Sequence, residues 1–170
     1  IDEGGECDSN AEKILRVANS DSELVYIKHD GSLNDGFEIV THPMTLSFHE
    51  NQMPWAEIME TAKEMGYVSH QAGTCGLHVH INRTTFGATV SEQEAAIARV
   101  LYFFEKFWDE LLKFSRRTQR QLDRWAARYG YKEQPKDILD HAKGNNHAGR
   151  YTAVNLTNRD TVEFRMFRGT

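Results

Sequence analysis

The chain is 170 residues long, 39% hydrophobic and 26% charged, with a net charge of −5, which suffices for one domain with a sizeable core that needs no disulfide. No run of about 18 apolar residues occurs, so no helical membrane span is expected, and the acidic balance argues against a protein whose main task is to coat nucleic acid. Cys7 and Cys75 show neither a C-x-x-C spacing nor a preceding secretory segment, which reads as reduced thiols in a cytoplasmic protein.

Ser9 followed by Glu12 reads as a capping box opening a helix over 9–18. Residues 23–28 and 36–41 alternate at period 2 around a run of turn formers, which predicts a hairpin with Phe37 and Ile39 inward. Residues 54–65 have helical spacing, with Pro54 in the first turn and Gly66 as the stop. The stretch Gly76-Leu77-His78-Val79-His80-Ile81-Asn82 alternates again. As a strand it puts His78, His80 and Asn82 on one face and Leu77, Val79 and Ile81 on the other, packed in the core.

From Ser91 onward, Ile97, Val100, Leu101, Phe104, Phe107, Trp108, Leu111 and Leu112 recur at three- and four-residue steps. This predicts a helix of several turns whose apolar stripe covers a sheet face. Arg116, Arg120, Arg124 and Arg128 follow at i, i+4 steps and line a helix surface that is either solvated or turned to an anionic partner. Residues 135–142 read as a short helix and 143–149 as a polar loop able to serve as a lid. Residues 151–156 and 161–167 form a last hairpin about Asn158-Arg159-Asp160, with Glu163 and Arg165 on one face and Val162, Phe164 and Met166 behind. The order predicts an α+β domain, a largely antiparallel sheet covered on one side by helices.

The residue types point to a site. His78 and His80 stand on one strand face, and Asp30, Glu38 and Glu163 sit in or beside strands, where an unpaired carboxylate is costly. Oxygen-rich ligands suit magnesium or manganese better than zinc, and magnesium suggests a phosphate-bearing ligand. Arg165, with Arg150 and Arg168 near it in sequence, supplies guanidiniums for phosphate or carboxylate oxygens. Each feature has a plainer alternative: imidazoles hydrogen-bonded within a polar sheet face, and arginines paired with neighbouring acids. No G-x-x-x-x-G-K-[ST] or G-x-G-x-x-G occurs, so any nucleotide is held by another fold.

Three stretches together carry a family resemblance: Cys75-Gly76-Leu77-His78-Val79-His80-Ile81, Arg150-Tyr151-x-Ala153-Val154-Asn155-Leu156, and Thr161-Val162-Glu163-Phe164-Arg165-x-Phe167-Arg168-Gly169-Thr170. With Asp30-Gly31-Ser32-Leu33 and Gly36-x-Glu38-Ile39-Val40, the pattern resembles the putative amidoligase family, grouped with glutamine synthetase and glutamate–cysteine ligase among ATP-dependent carboxylate–amine ligases. The resemblance implies a glutamine synthetase-like catalytic fold, with ATP and Mg2+ (or Mn2+) as cofactors. It implies that Asp30, Glu38, His78 and Glu163 are metal ligands, that His80, Arg165 and Arg168 bind the nucleotide, and that Arg150 and Asn155 lie near the substrates. Arg165 and Glu163 are the implied catalytic residues. The implied reaction transfers a phosphoryl group from ATP to a carboxylate, and an amine then attacks the acyl phosphate. Implied partners are a carboxylate and an amine substrate, as small molecule, peptide or protein side chain, and a second copy of the chain.

Family members open on a Glu-x-Glu strand, and none precedes the 9–18 helix. The expectation is a single catalytic domain over 1–170 without that strand and without a C-terminal remainder, Glu3 and Glu6 being poor substitutes. Two other function classes remain. One is a metal-dependent hydrolase or nuclease in which His78, His80 and a carboxylate activate water. The other is a non-catalytic module that binds an anion on the sheet, or a protein or nucleic acid on the arginine helix.

Overall fold

The computed structural model describes residues 1–144 and 149–169, which gather into two compact units, residues 1–75 with 169, and residues 76–168. The first unit comprises α1 (Asp8–Ala18), β1 (Val25–Lys28), β2 (Glu38–Thr41), α2 (Leu46–Asn51) and α3 (Trp55–Glu64). β1 and β2 form the expected antiparallel pair, with Ile27 opposite Ile39. Ile14 and Ala18 of α1, Val25, Phe37, Met53, Ile58 and Ala62 of α3, and Tyr67 form its core. α3 starts behind Pro54 and stops before Gly66, whose φ of +90° is a conformation that costs glycine least. The predicted Ser9–Glu12 box does not form. Cys7 is the N-cap of α1 and no side chain caps the helix. The Ser9 hydroxyl lies 3.4 Å from Cys7 Sγ instead.

The first unit is stitched together at Asp2. Its backbone pairs with Val68 in both directions at 2.9 Å, and its wholly buried carboxylate accepts from the backbone N–H groups of Glu3, Asn34 and Asp35 and from the Thr74 hydroxyl. Burial pushes this carboxyl up, but the Thr74 hydroxyl and the three N–H groups outweigh burial and hold it at about 2, against an ordinary 3.8. Gly36 lets the chain through, because a Cβ there would stand 2.2 Å from the Ile1 carbonyl oxygen.

The second unit comprises β3 (Gly76–Asn82), α4 (Val90–Lys106), α5 (Trp108–Ser115), α6 (Gln119–Trp125), α7 (Pro135–Gly144), β4 (Val154–Asn155) and β5 (Thr161–Arg168). Its sheet is antiparallel in the order β3-β5-β4. Ile97, Leu101 and Phe104 of α4, Trp108 of α5, Leu122 of α6 and Ile138 of α7 close over Val154, Val162 and Met166. The α+β class holds, with the described strands in two antiparallel sheets.

Four expectations change. The long helix divides at Phe107, which ends α4 and precedes α5 and is 40% exposed. The four arginines do not share a helix: Arg116 is a left-handed residue after α5, Arg120 and Arg124 belong to α6, and Arg128 lies beyond it. Arg128 Nε donates to the buried Glu105 at 2.8 Å. Leu77 and Val79 are not core; they are 43% and 40% exposed. β3 is the sheet's edge strand, its register slips between these two residues, and the helical core closes over the central strand β5 instead. Helix α7 runs through Gly144, where a loop was expected from residue 143, and residues 145–148 of that expected loop lie outside the described residues.

Among the described residues no helix is long and apolar enough to cross a membrane. Cys7 is exposed and Cys75 buried, with no disulfide between them.

Because the Asp2 carboxyl is depressed in the folded state, its contribution is fully present above the unfolded value near 4 and is lost as pH falls toward 2. The shift corresponds to about 2 kcal/mol. Urea unfolding of wild type and Asp2→Asn across pH 2–6 is expected to show a gap that is constant above pH 5 and closes toward pH 2; a gap independent of pH refutes this role. Leu77→Asp is expected to cost about 1 kcal/mol or less, as at an exposed strand position, and global unfolding by this change would contradict the exposure of β3.

Candidate active site

β5 is the middle strand, and its polar face is buried: Glu163 is 4% exposed and Arg165 9%. A carboxylate held there must be compensated. Glu163 Oε1 accepts from Arg165 Nη1 at 2.5 Å, and Oε2 accepts from Asn155 Nδ2 at 2.7 Å and Asn158 Nδ2 at 3.2 Å. Across the sheet His80 stands opposite Glu163 in register. His78 Nδ1 and His80 Nε2 approach Glu163 Oε1 at 3.3 and 3.6 Å. Burial pushes the Glu163 carboxyl up, but the Asn155 bond, the Arg165 charge and the two imidazoles prevail and keep it below the usual carboxylate range.

The register slip shapes the other side. Leu77 pairs with Phe167 and Val79 with Phe164, so Arg165 and Met166 both fall opposite His78. Burial, then the Arg165 guanidinium, push the His78 imidazole down to about 4 despite the pull of Glu163, with Arg117 and His80 pushing the same way. His78 is therefore neutral at physiological pH. Arg165 Nε is buried and meets no hydrogen-bond acceptor among the described residues.

Of the residues expected in the site, the second unit brings His78, His80, Asn155, Glu163 and Arg165 together. Asn155 Oδ1 accepts from the Thr157 N–H at 2.9 Å, which turns its amide nitrogen toward Glu163. Arg150 lies over the Tyr151 ring with its guanidinium carbon 5.3 Å from the centroid, and Arg168 ends β5 opposite Gly76. Asp30 and Glu38 belong to the first unit. Asp30 Oδ1 accepts from the Ser32 N–H at 3.0 Å and its hydroxyl at 2.8 Å, and Glu38 faces Lys28 across the strand pair at 3.6 Å.

Three residues escaped the sequence pattern. Asn158 was legible only as a turn former. Arg83 orders that turn, its guanidinium donating to the carbonyls of Leu156 at 2.8 Å and Asn158 at 3.2 Å. Arg117 packs against Gly76: a Cβ on Gly76 would lie 2.4 Å from Arg117 Nη2 and 3.2 Å from His78 Nε2. Gly76, two residues before the His78-x-His80 pair, was the available signal, since it marks a close approach.

The donor set bears on a metal. Glu163's nearer oxygen already holds a guanidinium, and among the described residues no group of three or more His, Cys, Asp or Glu side chains gathers as metal ligands. As arranged, the second unit does not fit a resident magnesium ion, which asks for several oxygen donors in octahedral order.

The family model described as putative amidoligase enzyme matches residues 5–170. The chain belongs to that family. The family's description supports a ligase-type enzyme, and the matched span includes every strand that carries the Glu163 cluster. No curated protein and no solved structure matches the chain.

The geometry makes Glu163 structural as well as functional. Breaking a buried pair from one side costs roughly 3–5 kcal/mol, whereas removing both charges costs less. In urea unfolding, Glu163→Gln is expected to lose about 3 kcal/mol and Glu163→Gln/Arg165→Met to regain part of it. A single variant as stable as wild type would show that the pair does not hold the site.

Proposed function

We propose that the chain is an ATP-dependent carboxylate–amine ligase that forms an amide or peptide-like bond through an acyl phosphate. Family membership supports the ligase class, and the observation that carries the finer reading is the buried Arg165, aimed by Glu163 and with no acceptor for its Nε–H among the described residues. A carboxylate is a poor electrophile because its charge is delocalised. Phosphoryl transfer from MgATP turns one of its oxygens into a leaving group; an amine then attacks the acyl carbon, phosphate departs and the nitrogen loses a proton. Magnesium enters this scheme with the nucleotide, as part of the substrate.

The chain's own residues have distinct tasks in this reading. Arg165 offers N–H donors to the phosphoryl oxygens as their charge develops, a contact most effective in a buried, prearranged setting. Glu163, fixed by Asn155 and Asn158, keeps that guanidinium in place. His78, neutral beside Arg165 and Arg117, adds no further charge next to the phosphoryl oxygens. His80 and Arg168 are placed at the nucleotide and Arg150 at the carboxylate substrate.

Hydroxylamine serves as a general amine and converts acyl phosphates to hydroxamates. Incubation with MgATP, hydroxylamine and a panel of amino-acid and peptide carboxylates is expected to give hydroxamate in step with ADP for some acid. Arg165→Met is expected to lower the rate by at least about a hundredfold, as for loss of a charge-stabilising donor. Hydroxamate formed without ATP, or ADP release that needs no acid, would contradict the ligase reading.

A further inference from the structure

Residues 113–125 carry five cations, Lys113, Arg116, Arg117, Arg120 and Arg124, in a chain whose net charge is −5. The one acid among them, Asp123, accepts from Gln119 Nε2 at 2.7 Å. Two points of this segment meet the Glu163 cluster. At one end Arg117 and His78 lie against the same point of the Gly76 backbone. At the other, the Trp125 ring meets Tyr151 edge-on, centroids 5.8 Å apart. The guanidinium carbon of Arg124 lies 4.5 Å from the Trp125 centroid, and that of Arg165 lies 5.8 Å from the Tyr151 centroid.

Both contacts are fixed locally. The buried Ser115 hydroxyl donates to the Leu112 carbonyl at 2.8 Å and accepts from the Arg117 N–H at 3.2 Å. Arg116 makes the left-handed turn, and Thr118 opens α6 with a capping box to Gln121. Beyond α6, Ala127 N–H donates to the Tyr151 carbonyl and Ala153 N–H to the Ala127 carbonyl, each at 2.9 Å. The segment is thus pinned at both ends beside a buried arginine that has a donor to spare. Guanidiniums held on aromatic faces keep their N–H groups at the ring edge, ready for planar anions.

From this we propose that residues 113–125 form one wall of the site and bind a polyanion, with Arg117 and Arg124 receiving charged groups beyond the one that meets Arg165. The ligand class is a molecule with several closely spaced anionic groups, which either a nucleotide's triphosphate or an oligo-acidic carboxylate substrate supplies. The inference deepens the ligase reading and rests on the same site, but binding tests it without turnover.

The test is calorimetry of the whole chain with inorganic tripolyphosphate and, separately, with a triglutamate peptide, at low salt where such contacts are least screened. Wild type is compared with Arg117→Gln, Arg124→Gln and Arg99→Gln, the last an exposed position on α4 that removes the same charge elsewhere. Gly76→Ala crowds the Arg117 guanidinium without removing charge. Circular dichroism checks folding. Wild type is expected to bind at least one probe. Arg117→Gln and Arg124→Gln each weaken it at least about tenfold, as for a lost charge-assisted hydrogen bond, and Gly76→Ala follows Arg117→Gln. Arg99→Gln stays close to wild type. Weakening with tripolyphosphate alone assigns the wall to the nucleotide, and with triglutamate alone to the acid substrate. Wild type that binds neither probe, or Arg117→Gln and Arg124→Gln variants that bind like Arg99→Gln, overturns the proposal. Failure of the hydroxamate assay with these losses intact would overturn the ligase reading and leave the wall standing.

Discussion

One buried carboxylate governs the second unit. Glu163 sits on the central strand with nitrogens of Arg165, Asn155, Asn158, His78 and His80 around its two oxygens. Desolvation alone would protonate it; the surrounding donors keep it ionised. Much of the local structure serves that end. Arg83 holds the turn that presents Asn158, the short β4 presents Asn155, and the slipped register of β3 brings both imidazoles to the same oxygen. Among the described residues Glu163 is the one side chain that bonds the Arg165 guanidinium, and Arg165 Nε meets no acceptor, so a structural ion pair keeps donor capacity for a ligand in the proposed role.

The first unit uses the same device for a different purpose. Asp2 is as buried as Glu163, but its partners are backbone N–H groups and a hydroxyl, with no cation among them. A carboxylate satisfied by neutral donors from the neighbouring Glu3, from Asn34 and Asp35 and from Thr74 ties those segments together and has little left to offer a ligand. One surrounded by cations and imidazoles remains electrostatically open to exchange with another anion.

Much of this was legible in the sequence, and the limits have physical reasons. Alternation located β3 and β5, and helical spacing located α3, α4 and the core residues Ile97, Leu101, Phe104 and Trp108, because those patterns are local. Gly66 was legible as a stop because the required φ restricts the residue. The exposure of Leu77 and Val79 was not legible: period 2 says which residues share a face but not which face the core covers, and the register slip depends on the partner strand. The arginine run misled for a similar reason. Spacing of four suggests one helix face, but Arg116 adopts φ of +59° and breaks the helix, so the run divides among three settings. The Ser9–Glu12 pair had the letters of a capping box, yet the N-cap lies two residues earlier, at Cys7, and Ser9 is already inside the helix. In the site, Glu163, Arg165, His78 and His80 stood out as unusual occupants of strands. Asn158 and Arg117 did not, since their roles arise from turns and close approaches that no periodicity encodes.

The charge state of His78 reports most directly on whether the Glu163–Arg165 pair sets the electrostatics of the site. A half-buried imidazole pushed down to about 4 by burial and by the Arg165 and Arg117 guanidiniums is expected to be neutral at pH 5 and above, whereas one dominated by the Glu163 carboxylate would hold its proton near neutrality. Nitrogen-15 NMR titration of the His78 ring, assigned with His78→Gln, distinguishes the two. Neutral-imidazole shifts persisting to pH 5 are the expected result. A midpoint at or above 6.5 would contradict the arrangement described here.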